Sequence, residues 1–124
     1  MNKKEFDQFI KTYEEGLKKG IIANDIHGRP IKEQSSYVYF DKKSLEKFLE
    51  QVDDNGGIRI YFGQYDELTI KSLPASIKDP TQYFGRLSVV LATDDKFKKD
   101  SLKSSDNDDD DYYNGGDLCP PTCR

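Results

Sequence analysis

Large apolar side chains recur at helical spacing near the start of the chain. Over residues 3–19 they are separated by three or four positions, which places them on one face of a helix while lysines and glutamates take the other. Two lysines and then Gly20 follow, which is typical of a helix end with a left-handed glycine. The pattern predicts an amphipathic helix whose apolar face packs in the core. That face consists of Phe6, Phe9, Ile10, Tyr13 and Leu17.

A short strand and a second helix are predicted next. The stretch SSYVYF at 35–40 is typical of a strand, and Asp41 offers an N-cap to the segment KKSLEKFLEQV at 42–52. The cluster DDNGG at 53–57 ends that helix, because glycines permit positive φ and Asp or Asn side chains bond locally. The apolar face of the second helix consists of Leu45, Phe48, Leu49 and Val52.

Two later stretches, GIRIYFGQYD at 57–66 and GRLSVVLATD at 85–94, alternate between apolar side chains and others, as strands do. We expect the aliphatic side of each strand to face the helices. The second stretch is apolar on both sides over residues 89–92, which suits a central strand. Between the two, residues 68–70 are expected to form a further short strand or extended segment. These sides, called aliphatic for their main constituents, consist of Ile58, Ile60 and the aromatic Phe62 in the first strand and of Leu87, Val89 and Leu91 in the second.

The order of these elements predicts a small single α+β domain, with an antiparallel or mixed sheet of three to five strands and two helices on one face. A chain of 124 residues is the usual length of one domain. We divide it into an α+β core at 1–100, an acidic flexible linker at 101–111 and a tail at 112–124. The tail is expected to dock on the core through three anchors, Tyr112, Tyr113 and Leu118.

The charge is uneven along the chain. Residues 1–100 carry 17 basic and 17 acidic side chains, whereas residues 101–124 carry two basic ones against six aspartates, so the tail accounts for the net charge of −4. A neutral body gives no basic stripe for nucleic acid or for an anionic membrane. The chain has no apolar run of membrane-spanning length and starts with the charged segment MNKKEFDQF, so a cytoplasmic protein is expected.

Catalytic signatures are not apparent in the sequence. His27, the one histidine, lies in the turn-rich stretch NDIHGRP, and no serine or cysteine occupies a nucleophile-elbow context that would pair with it. No dinucleotide-binding, phosphate-loop or zinc-protease motif occurs either, so no cofactor is expected. A non-enzymatic role is favoured.

A candidate partner-binding face comes from the first alternating strand. Arg59, Tyr61 and Tyr65 lie on the side opposite its aliphatic residues, and Tyr37 or Tyr39 would extend them if that side of the sheet is open. Arginine and tyrosine are enriched at binding hot spots. The alternative is that tyrosine is simply favoured in strands and that Arg59 pairs with a nearby carboxylate.

The acidic run before the tail matches part of a calcium-binding loop, in which oxygen ligands alternate. In that register, however, Asp111 occupies the position at which a glycine makes the sharp turn, and the exit LCPPTCR cannot open a helix. The alternative is a solvated linker. The side chains in register are Asp106, Asp108, Asp110, Asn114 and Asp117.

The two cysteines, Cys119 and Cys123, offer a second metal candidate. Two thiolates do not complete a four-ligand zinc site, so Asp117, His27 or a second copy of the chain would have to contribute. A disulfide over so short a spacing is expected to be strained and is disfavoured in the cytoplasm. Reduced thiols are therefore expected.

Three stretches, GIRIYFGQY, GRLSVVLATD and the tail YYNGGDLCPPTC, resemble small uncharacterised bacterial cytoplasmic proteins with a tyrosine/Asn/Gly-rich CPPxC tail. The resemblance implies a bacterial origin and an ordered tail, and it supplies no substrate or catalytic residue. Together with the absence of catalytic signatures, it favours a non-enzymatic cytoplasmic protein-binding or accessory module. The alternative is a zinc- or calcium-binding protein, or a small enzyme, that uses the Asp/Cys-rich tail.

Overall fold

A computed structural model describes residues 1–94 and 112–124 of the chain. These residues form a three-stranded antiparallel sheet of order β2-β3-β4, a two-stranded antiparallel sheet of β1 and β5, and two helices. The predicted α+β class and the small single domain are confirmed. The elements are α1 (Lys3–Glu15), β1 (Tyr37–Tyr39), α2 (Lys42–Leu49), β2 (Ile58–Gln64), β3 (Leu87–Thr93), β4 (Tyr112–Tyr113) and β5 (Asp117–Cys119). The predicted linker at 101–111 lies outside the described residues.

Helix α1 begins with a capping box. The Asn2 side chain accepts a hydrogen bond from the Glu5 backbone N–H at 2.8 Å, and the Glu5 carboxylate accepts one from the Asn2 N–H at 3.0 Å. The helix ends at Glu15 rather than running to residue 19, and a single 3-10 turn over Leu17–Lys19 follows it. Gly20 then adopts φ 79°, the expected left-handed stop.

Helix α1 packs on the side of β2 that carries Tyr61 and Gly63. The Phe6 ring lies 5.0 Å from the Tyr61 ring, and a Cβ atom on Gly63 would overlap the Phe9 ring. The prediction that the aliphatic side of β2 faces the helices is therefore wrong for α1. Glycine inside a strand often marks a close approach, and here it lets the helix settle on the tyrosine side.

Helix α2 lies toward the other side of the sheet. Its Phe48 ring is 6.0 Å from Tyr113, which pairs with Leu91 of β3, and Leu45 lines the same cavity as Ile60. The two helices thus lie toward opposite faces instead of sharing one. Asp41 caps α2 as predicted, because its carboxylate accepts a hydrogen bond from the Ser44 N–H at 2.8 Å.

The segment expected to be extended at 68–70 forms a 3-10 helix, Thr69–Ser72. Asp66 explains the difference. Its carboxylate accepts hydrogen bonds from the backbone N–H of Thr69 at 2.9 Å and from the Thr69 hydroxyl at 3.0 Å, while the Asp66 N–H donates to that hydroxyl at 2.8 Å. Such reciprocal local bonds favour a turn over a strand.

Residues 112–124 pack on the body of the chain. Strand β4 extends the sheet beside β3, and β5 pairs with β1 so that Leu118 lies opposite Val38. The Tyr112 ring stacks on Phe6 at 4.2 Å, and Leu118 is 0% exposed. The tail therefore contributes to the main core. The buried members of that core are Met1, Phe6, Phe9, Tyr65, Ile70, Tyr83, Val90 and Leu118.

Candidate binding surface

An apolar groove runs along the side of β2 that faces away from α1. Ile60 and Phe62 lie opposite Leu91 and Val89 of β3, and although they sit in the middle of a strand they are 54% and 55% exposed. The groove has a volume of about 450 Å³. Its other wall is formed by Tyr37, Val38 and Phe40 from β1 and the following residue, and by Leu45 of α2.

The same strand is an edge of the sheet. Within residues 1–94 and 112–124, β2 pairs with β3 alone. The Gly57 carbonyl and the Tyr65 N–H and carbonyl all bond toward the β3 side. Backbone groups alternate in direction along a strand, so Ile58, Ile60 and Phe62 direct their N–H and C=O groups to the free edge. The residues with exposed apolar side chains therefore also present unpaired backbone groups.

A second depression lies on the α1 side of that edge. It has a volume of about 390 Å³ and is bounded by Phe6, Ile10 and Tyr61 together with charged residues of α1. Its lining carries three carboxylates and one ammonium, which gives a local charge of −2. The charged residues are Asp7, Lys11, Glu14 and Glu15. The edge of β2 is thus flanked by an apolar groove on one side and an acidic depression on the other. Near Phe62 the end of α1 also borders it, because the Tyr13 ring lies 6.0 Å from the Phe62 ring.

The predicted Arg/Tyr residues do not form one exposed face. Tyr65 is 1% exposed and packs against Phe9 at 4.8 Å, and Tyr61 lies half-buried beneath Phe6. Arg59 is exposed without an accompanying tyrosine surface. The predicted alternation in β2 is present, but its two sides are exchanged, because the tyrosines turn toward the core and Ile60 and Phe62 face outward.

Tyr65 instead belongs to a buried polar network with the tail. The Asn114 side-chain amide donates to the Tyr65 hydroxyl at 3.2 Å and to the Ser72 hydroxyl at 3.0 Å. Burial raises the pKa of the Tyr65 hydroxyl, more than its hydrogen bond to Asn114 lowers it. Asn114, a predicted calcium ligand, is therefore buried in the core. The other positions in that register, Asp106, Asp108 and Asp110, lie outside the described residues.

The expectation of reduced thiols is also wrong, because Cys119 and Cys123 form a disulfide with Cα atoms 4.6 Å apart. The chain turns over Pro120 and Pro121, and the Thr122 N–H donates to the Leu118 carbonyl at 2.7 Å, which returns Cys123 to its partner. Oxidised sulfur does not supply the thiolates that zinc needs.

The two remaining residues of the predicted zinc set have other surroundings. Asp117 accepts hydrogen bonds from the Arg124 guanidinium, the shorter at 2.8 Å. His27 is exposed in a turn in which its backbone N–H donates to Asp25 at 2.9 Å. Among residues 1–94 and 112–124, no three His, Cys, Asp or Glu side chains are grouped to hold a metal ion.

Several carboxylates have shifted pKa values with local structural causes. A backbone hydrogen bond from Arg29 lowers the pKa of Asp25, and one from Ser44 lowers that of Asp41. For Asp66, burial alone would raise the pKa, but hydrogen bonds from Gln8, Thr69 and Thr12 outweigh it. These shifts accompany turns and caps rather than a group of reacting side chains.

No protein family, curated protein or solved structure matches this chain. Among the described residues, no helix has the length and apolar character needed to cross a membrane.

Proposed function

We propose that this protein is a non-enzymatic binding or accessory module that holds a partner protein on the apolar groove beside β2. The observation that carries the proposal is the exposure of Ile60 and Phe62, 54% and 55%, in a regular strand beside a groove of about 450 Å³. Exposed contiguous apolar surface costs free energy in water and is characteristic of binding sites.

The composition of the groove fits a protein partner. In an antiparallel sheet with one solvated face, polar residues normally alternate outward, whereas here Ile58, Ile60 and Phe62 occupy those positions. Phe40 and Tyr37 add aromatic surface on the opposite wall. Apolar and aromatic side chains surrounded by polar ones are the usual anatomy of a protein interface.

The alternative of a metal-binding protein or tail-based enzyme depends on opening the disulfide. Only the reduced chain would offer the thiolates of Cys119 and Cys123 as ligands or nucleophiles. Zinc titration of reduced, chelator-free protein tests this alternative, and stoichiometric binding that Cys119→Ser abolishes would support it over a partner-binding role.

The proposed compartment is the cytoplasm, as the sequence suggested. Disulfides are rare there because thiol-reducing systems open them, so the Cys119–Cys123 bond bears directly on this part of the proposal. Acid quenching of intact cells followed by thiol alkylation measures the redox state. Free thiols at both positions support a cytoplasmic setting, and a fully oxidised pair argues for an oxidising compartment.

Site-specific photocrosslinking in cells of the source organism tests the partner-binding proposal. A photoreactive phenylalanine analogue replaces Ile60 in one variant and Ile22, which is 69% exposed and does not line the groove, in a control. We expect a discrete protein adduct from position 60 that the control does not give. Phe62→Glu in the same chain should abolish that adduct, because a buried carboxylate without a partner is costly. Identical adducts from both positions would contradict the proposal.

A further inference from the structure

We infer that the partner binds as an added β-strand: an extended segment with alternating apolar and basic residues pairs with the free edge of β2. The inference rests on the proposed function and names the geometry and chemistry of the partner. Edge strands present a row of unpaired N–H and C=O groups, which an extended peptide can satisfy.

The backbone of β2 sets the register of such an addition. Ile58, Ile60 and Phe62 direct their backbone groups outward, as deduced from the bonds that Gly57 and Tyr65 make toward β3. In an antiparallel pair, residues that exchange hydrogen bonds lie directly opposite each other, with side chains on the same face. The partner residues that bond to Ile60 and Phe62 therefore place their own side chains over the apolar groove.

The intervening partner residues point to the α1 side of the edge. There the depression beside Tyr61 carries Asp7, Glu14 and Glu15 against Lys11, a local charge of −2. Lys3 and Lys18 lie outside this lining and pair with Asp7 and Glu14 at 2.6 and 3.9 Å. Exposed pairs of this kind are weak, so a basic partner residue is expected to take their place beside these carboxylates. Lysine or arginine is the complementary residue for this side.

Arg59 limits where those basic residues fall. It lies on the α1 side of β2, two positions before Tyr61, and is exposed. Because like charges directly opposite one another are destabilising in a sheet, the basic partner residues that contribute most are those that face Tyr61 and Gly63, and one that faces Arg59 contributes less. The predicted partner is thus an extended segment with two or three apolar residues and basic residues between them.

A second copy of this chain fits the same edge poorly. Antiparallel pairing of β2 with its copy places both α1 helices on the same face of the joined sheet, and each α1 packs chiefly on its own β2. Neighbouring strands lie about 4.8 Å apart, whereas packed helices need about 8–10 Å between their axes. A partner segment without a helix over it avoids this collision.

Titration of the isotope-labelled full chain with synthetic peptides, followed by NMR, tests the inference. The probe is the acetylated, amidated heptapeptide VKVKVKV, and the controls are VEVEVEV and the block sequence VVVVKKK. We expect VKVKVKV to bind at least about tenfold more tightly than either control and to shift the amide signals of Ile60 and Phe62. Equal affinity for the block peptide would overturn the inference, because it would show that charge and apolar content suffice without strand pairing.

Backbone methylation of the probe tests the hydrogen bonds directly. Antiparallel addition directs the valine amides toward β2 and the lysine amides to solvent, so N-methylation of two valines should abolish binding and N-methylation of two lysines should not. Equal loss in both peptides would contradict strand addition.

Oligomeric state and the crosslinking result separate this inference from the proposed function. Self-association of the free protein through β2, seen in light scattering and removed by Ile60→Pro, would overturn the inference in favour of a second copy. A groove-dependent adduct in cells combined with no binding of VKVKVKV at millimolar concentration would overturn strand addition while leaving the proposed function in place.

Discussion

The ring of Phe9 occupies the space in which a Cβ atom on Gly63 would stand. This contact sets helix α1 against the tyrosine side of β2, while Ile60 and Phe62 on the other side remain about half exposed. The orientation of the strand, and with it the exposure of Ile60 and Phe62, thus depends on one residue that has no side chain.

Gly63→Ala should destabilise the fold by about 1–3 kcal/mol, because overpacking forces the Phe9 ring or the helix to move. Urea unfolding measures the free energy of unfolding. Gly57→Ala is the matched control: no atom lies within 4 Å of its added Cβ, so its effect should stay within about 0.5 kcal/mol. Equal effects of the two substitutions would show that the Phe9–Gly63 contact does not determine how α1 packs.

Asn114→Ala should cost about 1–3 kcal/mol, since it removes the amide that donates to the buried Tyr65 hydroxyl and to the half-buried Ser72 hydroxyl. Asn55→Ala, in the exposed turn before β2, is the control and should be nearly neutral.

A double-mutant cycle with Tyr65→Phe isolates the coupling between Asn114 and Tyr65, and we expect the two losses to be clearly non-additive. Additive losses would mean that the hydrogen bond between them contributes little.

The two helices, the strands β1 to β3 and the α+β class could be predicted because they follow from local patterns: apolar spacing in α1, the Asp41 cap of α2 and the alternation in β2 and β3. The pairing of the tail as β4 and β5 could not, because it depends on partners distant in the chain. The side of β2 that faces the core could not, because both sides carry residues fit for burial. The packing of α1 decides between them, through the approach of Phe9 over Gly63 and the contact of Phe6 with Tyr61. In the sequence, Gly63 lies between Tyr61 and Tyr65 on the same side of the strand, and a glycine there indicates a side that a helix can approach closely. The apolar residues on the other side of the strand favoured the opposite interpretation.

The sequence does not predict the candidate surface for the same reason. The side of β2 expected to be exposed carries Tyr61 and Tyr65, whereas the exposed residues in the structure are Ile60 and Phe62. The disulfide was missed because sequence spacing does not show how the turn over Pro120 and Pro121 brings the two sulfurs together. The docking anchors Tyr112 and Leu118 were recognisable because apolar residues stand out within a polar tail.

Opening the disulfide should lower the free energy of unfolding by about 2 kcal/mol, the chain-entropy value for a closed loop of five residues, Cys119 to Cys123. Unfolding in urea with and without reductant measures the change. The Cys119→Ala/Cys123→Ala double variant should match the reduced protein and not respond to reductant. A reduced wild type as stable as the oxidised one would contradict a structural role for the bond.

Asp66 should make stability depend on acidity. Its pKa in the folded state lies below the ordinary value of 3.8, so its contribution is fully present above about pH 4 and is lost as the pH falls through the folded-state pKa. Asp66→Asn should therefore be destabilising at pH 7 by about 1–3 kcal/mol, and the difference from wild type should shrink on acidification below pH 4. A difference that is constant from pH 7 to pH 2 would contradict this prediction.

Amide hydrogen exchange along β2 tests the central claim, that this strand is an open edge with outward-facing apolar residues, most directly. In the free protein the N–H groups of Ile60 and Phe62 should exchange rapidly, because among residues 1–94 and 112–124 no strand pairs with that edge of β2, while those of Tyr61 and Gly63, bonded to β3, should be protected. Addition of VKVKVKV should slow exchange at Ile60 and Phe62 and leave Tyr61 unchanged. Equal protection of all four amides in the free, monomeric protein would contradict the account.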